Sequence, residues 1–423
     1  MSSTPTPSLV GNPKVVRRDT LAKVTGAKKF TSDIQPADVG VSATTGFVYM
    51  GYVTCPYPNA LIKSIDVSAA EAAGAVTLTG MDTDFLPEYT YYSTSGNRVR
   101  GPLPTTQARY AGCPVVAVGA ASPSLLNDAI DLVKVEYEPL PYVFDVEGAL
   151  AAGAPAIWPG GNSPGGSIVE GVANPSSAQV AFGDADGAIE VADAVVTIRL
   201  DTQFIQHMDI EPRGCLAQWA STSQGLINIW GNTQYAASLK TTVANYFGVP
   251  AANVTVRTSL GGAENASIGT GLGNKSSGEE YIIATAMSHK AGGVVKFLNT
   301  RYTNSLATTN RYPERAYLTG AAKNGKLTAL KAVIYANVGA NGGANSDLGA
   351  FYAIYNVDNV NLVSYSANSN AYGLAGPMRD VGESQNHWFT EQVVDMLAEK
   401  LNIDPQVFRL NNMRTAAFTD TVT

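Results

Sequence analysis

Three stretches of the chain hold residues whose types and spacing could do chemistry. The longest runs Gly261-Gly262-Ala263-Glu264-Asn265-Ala266-Ser267-Ile268-Gly269-Thr270-Gly271-Leu272-Gly273-Asn274-Lys275, between a strand candidate (253–258) and a predicted helix (277–291). Its glycines would let the backbone approach a bulky ligand, and N–H groups ahead of a helix start attract anions. Lys275 lacks Walker spacing and no separate βαβ unit surrounds the run, so neither nucleotide fingerprint applies. A ligand loop and a flexible turn remain alternatives. His207-Met208-Asp209-Ile210-Glu211-Pro212 offers a His/Glu metal pair, but Pro212 and the scarcity of histidine favour a buried, hydrogen-bonded His with a structural Glu. The third stretch, residues 378–387, is dense in polar groups ahead of a helix. Arg379 beside Gly382 could hold an oxyanion bidentately while the backbone comes close, and a capped helix start with surface charges is the equal alternative.

The chain's other chemistry is bounded by counts. Cys55, Cys113 and Cys215 are odd in number and far apart, with no CxxC, so no iron–sulfur cluster or structural zinc of the usual spacing is expected on this chain. His207, His289 and His387 are the only histidines. A redox metal would therefore arrive on an organic cofactor, with no metal ligand from protein side chains. Twenty-eight basic and 35 acidic residues give a net charge of −7, which argues against nucleic acid. No apolar run reaches the roughly 18 residues of a membrane span. Arg17-Arg18 is followed by Asp19-Thr20-Leu21-Ala22-Lys23 and not by an apolar core, so no export signal is read. The expected location is cytoplasmic, periplasmic only if the chain is co-exported with a partner. Charged residues make up 15% of the chain, against about 25% in ordinary domains, which points to large areas covered by partner subunits.

At roughly 100–200 residues per domain, 423 residues suggest two to four domains. A strand is predicted at 47–53, an alternating strand at 62–67, a short helix at 68–73, a strand at 114–119, a helix at 124–133 and a strand at 134–138. Residues 151–180 are rich in Gly, Pro, Ala and Ser and read as a linker or a long surface loop. Beyond them come a short helix at 186–191, strands at 195–200, 226–230 and 327–335, and helices at 236–247, 277–291 and 391–401. Gly248 is the stop signal of the helix at 236–247, and Asp404-Pro405 opens a last short helix. Strands and helices do not alternate strictly, so the fold class is α+β.

Taken in order, these pieces resemble the large molybdenum-binding subunit of the xanthine dehydrogenase/aldehyde oxidase family over nearly the whole chain. Arg18-Asp19 through Lys23-Val24-Thr25-Gly26 and Asp33 is similar to the family's opening motif. Cys55-Pro56-Tyr57-Pro58-Asn59-Ala60 is similar to its S-P-x-P-H-A, with Asn59 in place of His. Val135-Glu136-Tyr137-Glu138-Pro139-Leu140-Pro141 matches V-x-Y-E-x-L-P. Gly183-Asp184, Glu211-Pro212, Gln234 and Gly269–Lys275 fall where the family has G-D-x-x, M-E-P, S-T-Q and G-G-G-F-G-G-K. Residues 379–385 fall on R-G-F-G-x-P-Q, and Leu401–Pro405 with Arg409–Asn412 fall on L-G-x-D-P and R-x-x-N.

The resemblance implies an N-terminal α/β-hammerhead domain (13–150), the linker (151–180) and a first molybdopterin-binding domain (181–423). It implies a molybdenum hydroxylase that oxidises an aldehyde or N-heteroaromatic carbon with water, passing electrons to [2Fe-2S] clusters and then to FAD or haem on partner subunits. The cofactor implied is molybdenum-molybdopterin, in the cytosine dinucleotide form. Gln234 and Arg379 are the implied catalytic residues. Gly269, Gly271, Leu272, Gly273, Gly382 and Gln385 would bind the cofactor, and Ser276 and Val381 would face substrate. The family's catalytic Glu lies in a second half that does not match this sequence. The base is therefore expected on a second molybdopterin-binding subunit, as in split-subunit relatives such as nicotinate dehydrogenase, with Glu383 as the alternative. An iron–sulfur subunit and a flavin or cytochrome subunit complete the expected complex, and the isolated chain should be inactive. Leu272 and Val381 replace aromatics and Ser276 replaces the Glu of purine hydroxylases, which moves the small-molecule substrate away from purines. A non-catalytic scaffold that kept the fold is the other reading.

Overall fold

A computed structural model describes residues 12, 20–41, 46–87, 101–159, 161–162, 167–169, 172–174, 177–206, 208, 210–231, 233, 235–257, 278–342, 347–376, 378, 380 and 382–414. Two mixed sheets organise them. The larger has seven strands in the order Val254–Arg257, Leu226–Gly231, Gly214–Ser221, Val294–Leu298, Phe47–Thr54, Pro114–Ala120, Val76–Thr79. It therefore joins strands from residues 47–120 to strands from residues 214–298. The seam is the parallel pairing of Phe47–Met50 with Val294–Phe297. The second sheet has five strands in the order Ala194–Asp201, Glu314–Lys323, Lys326–Asn337, Asn359–Ala367, Ser177–Phe182. A three-stranded sheet built on Ala60–Asp66 and Lys134–Pro139 packs with the helix Pro123–Leu132. The α+β expectation holds.

A long helix packs on each sheet. Glu279–Ala291 lies against the seven-stranded sheet, with Tyr281–Ser288 buried along its middle. Burial on every side, Thr285 and Ser288 included, suits a layer between two packed surfaces. Glu383–Lys400 lies on the five-stranded sheet through Phe389, Val393, Val394 and Leu397. This helix begins at Glu383, well before the predicted start at 391. Its first turns bury Gln385, Asn386 and Thr390 in place of apolar residues, so the hydrophobic period that marks a helix is missing there.

Within 151–162 the chain is anchored. Ile157 and Trp158 are buried. The Trp158 indole N–H donates to the Ala340 carbonyl at 2.7 Å, and the Asn368 N–H donates to the Asn162 carbonyl at 2.6 Å. Among the described residues no helix is long and apolar enough to cross a membrane.

Gly320 fixes how closely the long helix approaches its sheet. A Cβ at this position would collide with Val393 Cγ1 and touch Leu397 Cδ1 at 3.4 Å. Overpacking of this kind typically costs about 1–3 kcal/mol. Gly320→Ala should lower stability by about that amount in denaturant unfolding. A wild-type midpoint would show that the helix yields without cost.

Candidate functional site

The segment before the helix Glu383–Lys400 is held in an unusual backbone shape. Gly382 caps the helix with φ +76°, and Asp380 also sits in the left-handed region at +62°. A non-glycine residue there is uncommon and marks a constrained turn. The constraint has a visible source. Arg311, 7% exposed, donates from Nη2 to the Asp380 carbonyl at 3.1 Å. Its own backbone N–H donates to the Ile205 carbonyl at 2.9 Å and its carbonyl accepts from the Ile205 N–H at 3.2 Å. A buried guanidinium on a main-chain carbonyl thus ties the loop to the residues that enter the strand Glu314–Lys323.

Below the loop, the first turns of the helix are anchored by side-chain amides. Gln385 Nε2 donates to the Tyr312 carbonyl at 2.7 Å and to Thr202 Oγ1 at 3.3 Å. Asn386 Nδ2 donates to the Asp347 carbonyl at 2.8 Å, and Thr390 Oγ1 donates to the Phe351 carbonyl at 3.0 Å. Gln385 Oε1 is buried and meets no hydrogen-bonding partner. A Cβ placed on Gly382 would stand 3.2 Å from the Tyr312 hydroxyl and 3.4 Å from Asp347 Cβ. Gly382, Gln385, Tyr312 and Asp347 therefore converge on one tight corner. Burial, reinforced by the charge of Glu314, pushes the Tyr312 hydroxyl pKa upward, so it remains a neutral donor at physiological pH.

Of the residues singled out from sequence, Gly382 and Gln385 meet at this corner. Glu383 lies on its exposed side. Its hydrogen bond with Asp380, together with the charges of Asp380 and Asp347, holds its carboxyl above the usual glutamate range. Gln234, Arg379, Gly269, Gly271, Leu272, Gly273, Ser276 and Val381 lie outside the described residues, as does His207. Glu211 accepts the Thr31 N–H at 2.8 Å, the structural use favoured for it. Arg311, Tyr312 and Asp347 carried no signal in the sequence reading. A buried arginine two residues before Pro313 lies in neither a helical nor an alternating pattern. Among the described residues no three His, Cys, Asp or Glu side chains gather in a metal-binding group.

A cavity of about 410 Å³ is walled by residues from 52–114 and from 279–341, in the size range of small-molecule pockets. Tyr52, Gln107, Arg109 and Tyr110 line one side, and Glu279 and Thr308 the other. Glu280 also reaches it, but that carboxylate pairs with the buried Arg213 at 3.3 Å. Losing one partner of such a buried pair costs about 3–5 kcal/mol, so Glu280 is committed to structure and is a poor candidate for a proton-shuttling base.

The Asp380–Glu383 pair sets a pH dependence. Because the folded-state pKa of Glu383 is raised, the pair's contribution to stability is present below the ordinary glutamate pKa. It is lost as pH rises through the raised value, where Glu383 gives up its proton and with it the hydrogen bond to Asp380. Asp380→Asn should bring the Glu383 titration, followed by carboxyl NMR, back down toward an ordinary glutamate. An unmoved midpoint would exclude Asp380 as the cause.

Comparison with known proteins places these features in context. Residues 169–413 match the molybdopterin cofactor-binding domain, and residues 25–141 match the aldehyde oxidase and xanthine dehydrogenase a/b hammerhead domain. The chain is 26% identical over 405 residues to the nicotinate dehydrogenase large molybdopterin subunit of Eubacterium barkeri, covering 94% of this chain and 88% of that one. It is 28% identical over 416 residues to the xanthine dehydrogenase molybdenum-binding subunit of Escherichia coli O157:H7, covering 94% of this chain and 51% of the relative. In structure it is similar to quinoline 2-oxidoreductase from Pseudomonas putida 86, with a TM-score of 0.79, 23% identity and coverage of 96% of this chain and 50% of that one. The chain thus spans most of the first relative and about half the length of the other two.

Proposed function

This chain belongs to the molybdopterin cofactor-binding domain family, and on that premise we propose that it is the first half of the large subunit of a molybdenum hydroxylase. The reaction proposed is oxidation of an aldehyde or N-heteroaromatic carbon, with water as the oxygen source and [2Fe-2S] clusters on a partner as electron acceptors. The division proposed is a hammerhead domain at 13–150, a linker at 151–180 and a molybdopterin-binding domain at 181–423. The observation that carries the reading is the corner at Gly382 and Gln385, inside the matched segment. There a buried Gln385 Oε1 lacks a partner, and Gly382 turns the chain at φ +76° against the Tyr312 hydroxyl. An uncompensated acceptor suits a pterin, whose ring N–H groups are donors.

The residues present therefore fit the group. Gln385 would accept from the pterin, Gly382 would let it approach the main chain, and Arg311 would keep the loop in its binding shape through the Asp380 carbonyl. Gly269, Gly271, Leu272, Gly273 and Arg379 are proposed to face the same group, with Gln234 donating from its amide and Ser276 and Val381 turned toward substrate. When bound, the molybdenum cofactor, proposed in its cytosine dinucleotide form, supplies an activated water and accepts two electrons.

The base must come within hydrogen-bond reach of the proton it removes. Glu383 shares its hydrogen bond with Asp380 on the exposed side of the turn, so we assign the base to a second molybdopterin-binding chain. The alignment with the Eubacterium barkeri large molybdopterin subunit, which covers 88% of that relative, supports this reading. Partners with [2Fe-2S] clusters and with FAD or haem are proposed in addition. The test is to assay the chain alone and co-expressed with such partners, using aldehydes and N-heteroaromatics with a dye acceptor. Activity should appear only in the complex, and activity from the isolated chain would overturn the split reading and promote Glu383. In the complex, Gln234→Ala should lower turnover more than molybdenum content. Unchanged turnover would remove Gln234 from the site.

A further inference from the structure

Two polar side chains that line the cavity have hydrogen-bonding capacity the protein does not use. Asn299 is 7% exposed, yet among the described residues no hydrogen bond reaches its side-chain amide. The Tyr52 hydroxyl lines the same space and is likewise unmatched among the described residues. A buried polar group without a partner forfeits its hydration for nothing. An amide more than nine-tenths buried, at the wall of a cavity, calls for an occupant in that cavity.

The larger sheet brings the two groups together. Phe47–Met50 runs parallel to Val294–Phe297, with Met50 opposite Phe297 in the shared core. Two residues further along each chain come Tyr52 and Asn299. Side chains alternate with a period of two, so both leave on the face that Met50 and Phe297 share. The Tyr52 ring confirms this by packing on Phe297, with centroids 4.8 Å apart. On its other side Asn299 continues the ladder, its N–H donating to the Arg213 carbonyl at 2.8 Å. Arg213 in turn pairs with Glu280, on the helix that forms the opposite wall. Leu86, Leu103 and Ile283 supply apolar lining.

We propose that this cavity is a binding site for a small uncharged molecule with an apolar body and a carboxamide head. The Tyr52 hydroxyl donates to the carbonyl of the head. Asn299 offers an amide that both donates and accepts, which is the complement of a second amide. Burial, reinforced by the charge of Glu280, pushes the Tyr52 hydroxyl up, so it stays protonated and able to donate. The charged groups of the wall are already used. Glu280 pairs with Arg213, and Glu279 is engaged as well. Arg109 stacks on the Trp158 ring at 3.8 Å and donates to the Ile157 carbonyl at 2.8 Å. An ionic ligand would therefore give up its hydration without gaining a counter-ion. This site is independent of the cofactor corner, and the inference does not rest on the hydroxylase reading.

The test is calorimetric binding of benzamide, benzoate, benzylamine and acetophenone to the purified full-length chain. Wild type should bind benzamide at least about tenfold more tightly than any of the other three, since a site with buried hydrogen-bonding groups rejects analogues that leave them unpaired. Tyr52→Phe keeps the ring on Phe297 and removes the hydroxyl. Asn299→Leu replaces the amide with an apolar side chain of similar size. Each should weaken benzamide binding about tenfold, the loss of one hydrogen bond. The melting temperature should stay level or rise, because neither variant breaks a bond within the protein. Asn299→Ala, which cannot clash, gives the same test should the leucine variant not fold. No measurable binding of benzamide, a rival probe that binds as tightly, or an affinity unchanged in either variant would overturn the inference and leave the cavity to ordered water. Molybdenum does not enter the readout, so failure of the hydroxylase reading would leave this result standing.

Discussion

Much of the site hangs on one hydrogen bond, from Gln385 Nε2 to the Tyr312 carbonyl at 2.7 Å. It joins the first turns of the helix Glu383–Lys400 to the residues that enter the second strand of the five-stranded sheet. Tyr312 stands next to Arg311, and Arg311 holds the Asp380 carbonyl. The loop is thus clamped from below by the amide and from the side by the guanidinium. A helix start that buries Gln385, Asn386 and Thr390 gains little from apolar contact. Its position depends on those side chains each meeting a main-chain carbonyl, a net gain of only about 0.5–1.5 kcal/mol apiece. Deleting one is worse than that figure suggests, because the carbonyl left behind stays buried and unpaired.

The apolar remainder of the same helix makes this arrangement affordable. Phe389, Val393, Val394 and Leu397 pack on a sheet whose Gly320 lets the helix come close. The burial of a few such side chains, at about 1.5–3 kcal/mol each, outweighs the weak polar start. Stability and site are therefore divided along one element: the C-terminal turns hold it down, and the N-terminal turns present Gly382 and Gln385. The seven-stranded sheet works at larger scale. By pairing Phe47–Met50 with Val294–Phe297 it places Tyr52 across the cavity from the helix Glu279–Ala291. A cavity walled by two segments far apart in sequence is fixed by that pairing.

The sequence was most legible where one force acted alone. The helix Ala236–Phe247 has the predicted bounds, because Leu239 and Val243 recur at helical spacing and Gly248 stops it at φ +64°. The start of Glu383–Lys400 was illegible because its buried face is polar. In the segment 378–387 the helix-cap alternative is visible at Gly382, while Arg379, on which the other alternative rests, lies outside the described residues. Arg311 and Asn299 escaped notice for one reason. Their roles come from burial and from what surrounds them, and a single sequence displays neither. The family resemblance reached Gly382 and Gln385 through the order of its motifs.

The central claim is that the corner at Gln385 holds a molybdenum-bearing pterin. The most direct measurement is the molybdenum and pterin content of the complex that copurifies with this chain, for wild type and for Gln385→Leu, with melting temperature recorded on both. The account predicts molybdenum and pterin together in wild type, and a clear loss of both in the variant at a temperature where it remains folded. A wild-type complex without molybdenum, or a folded variant that retains all of it, would contradict the account.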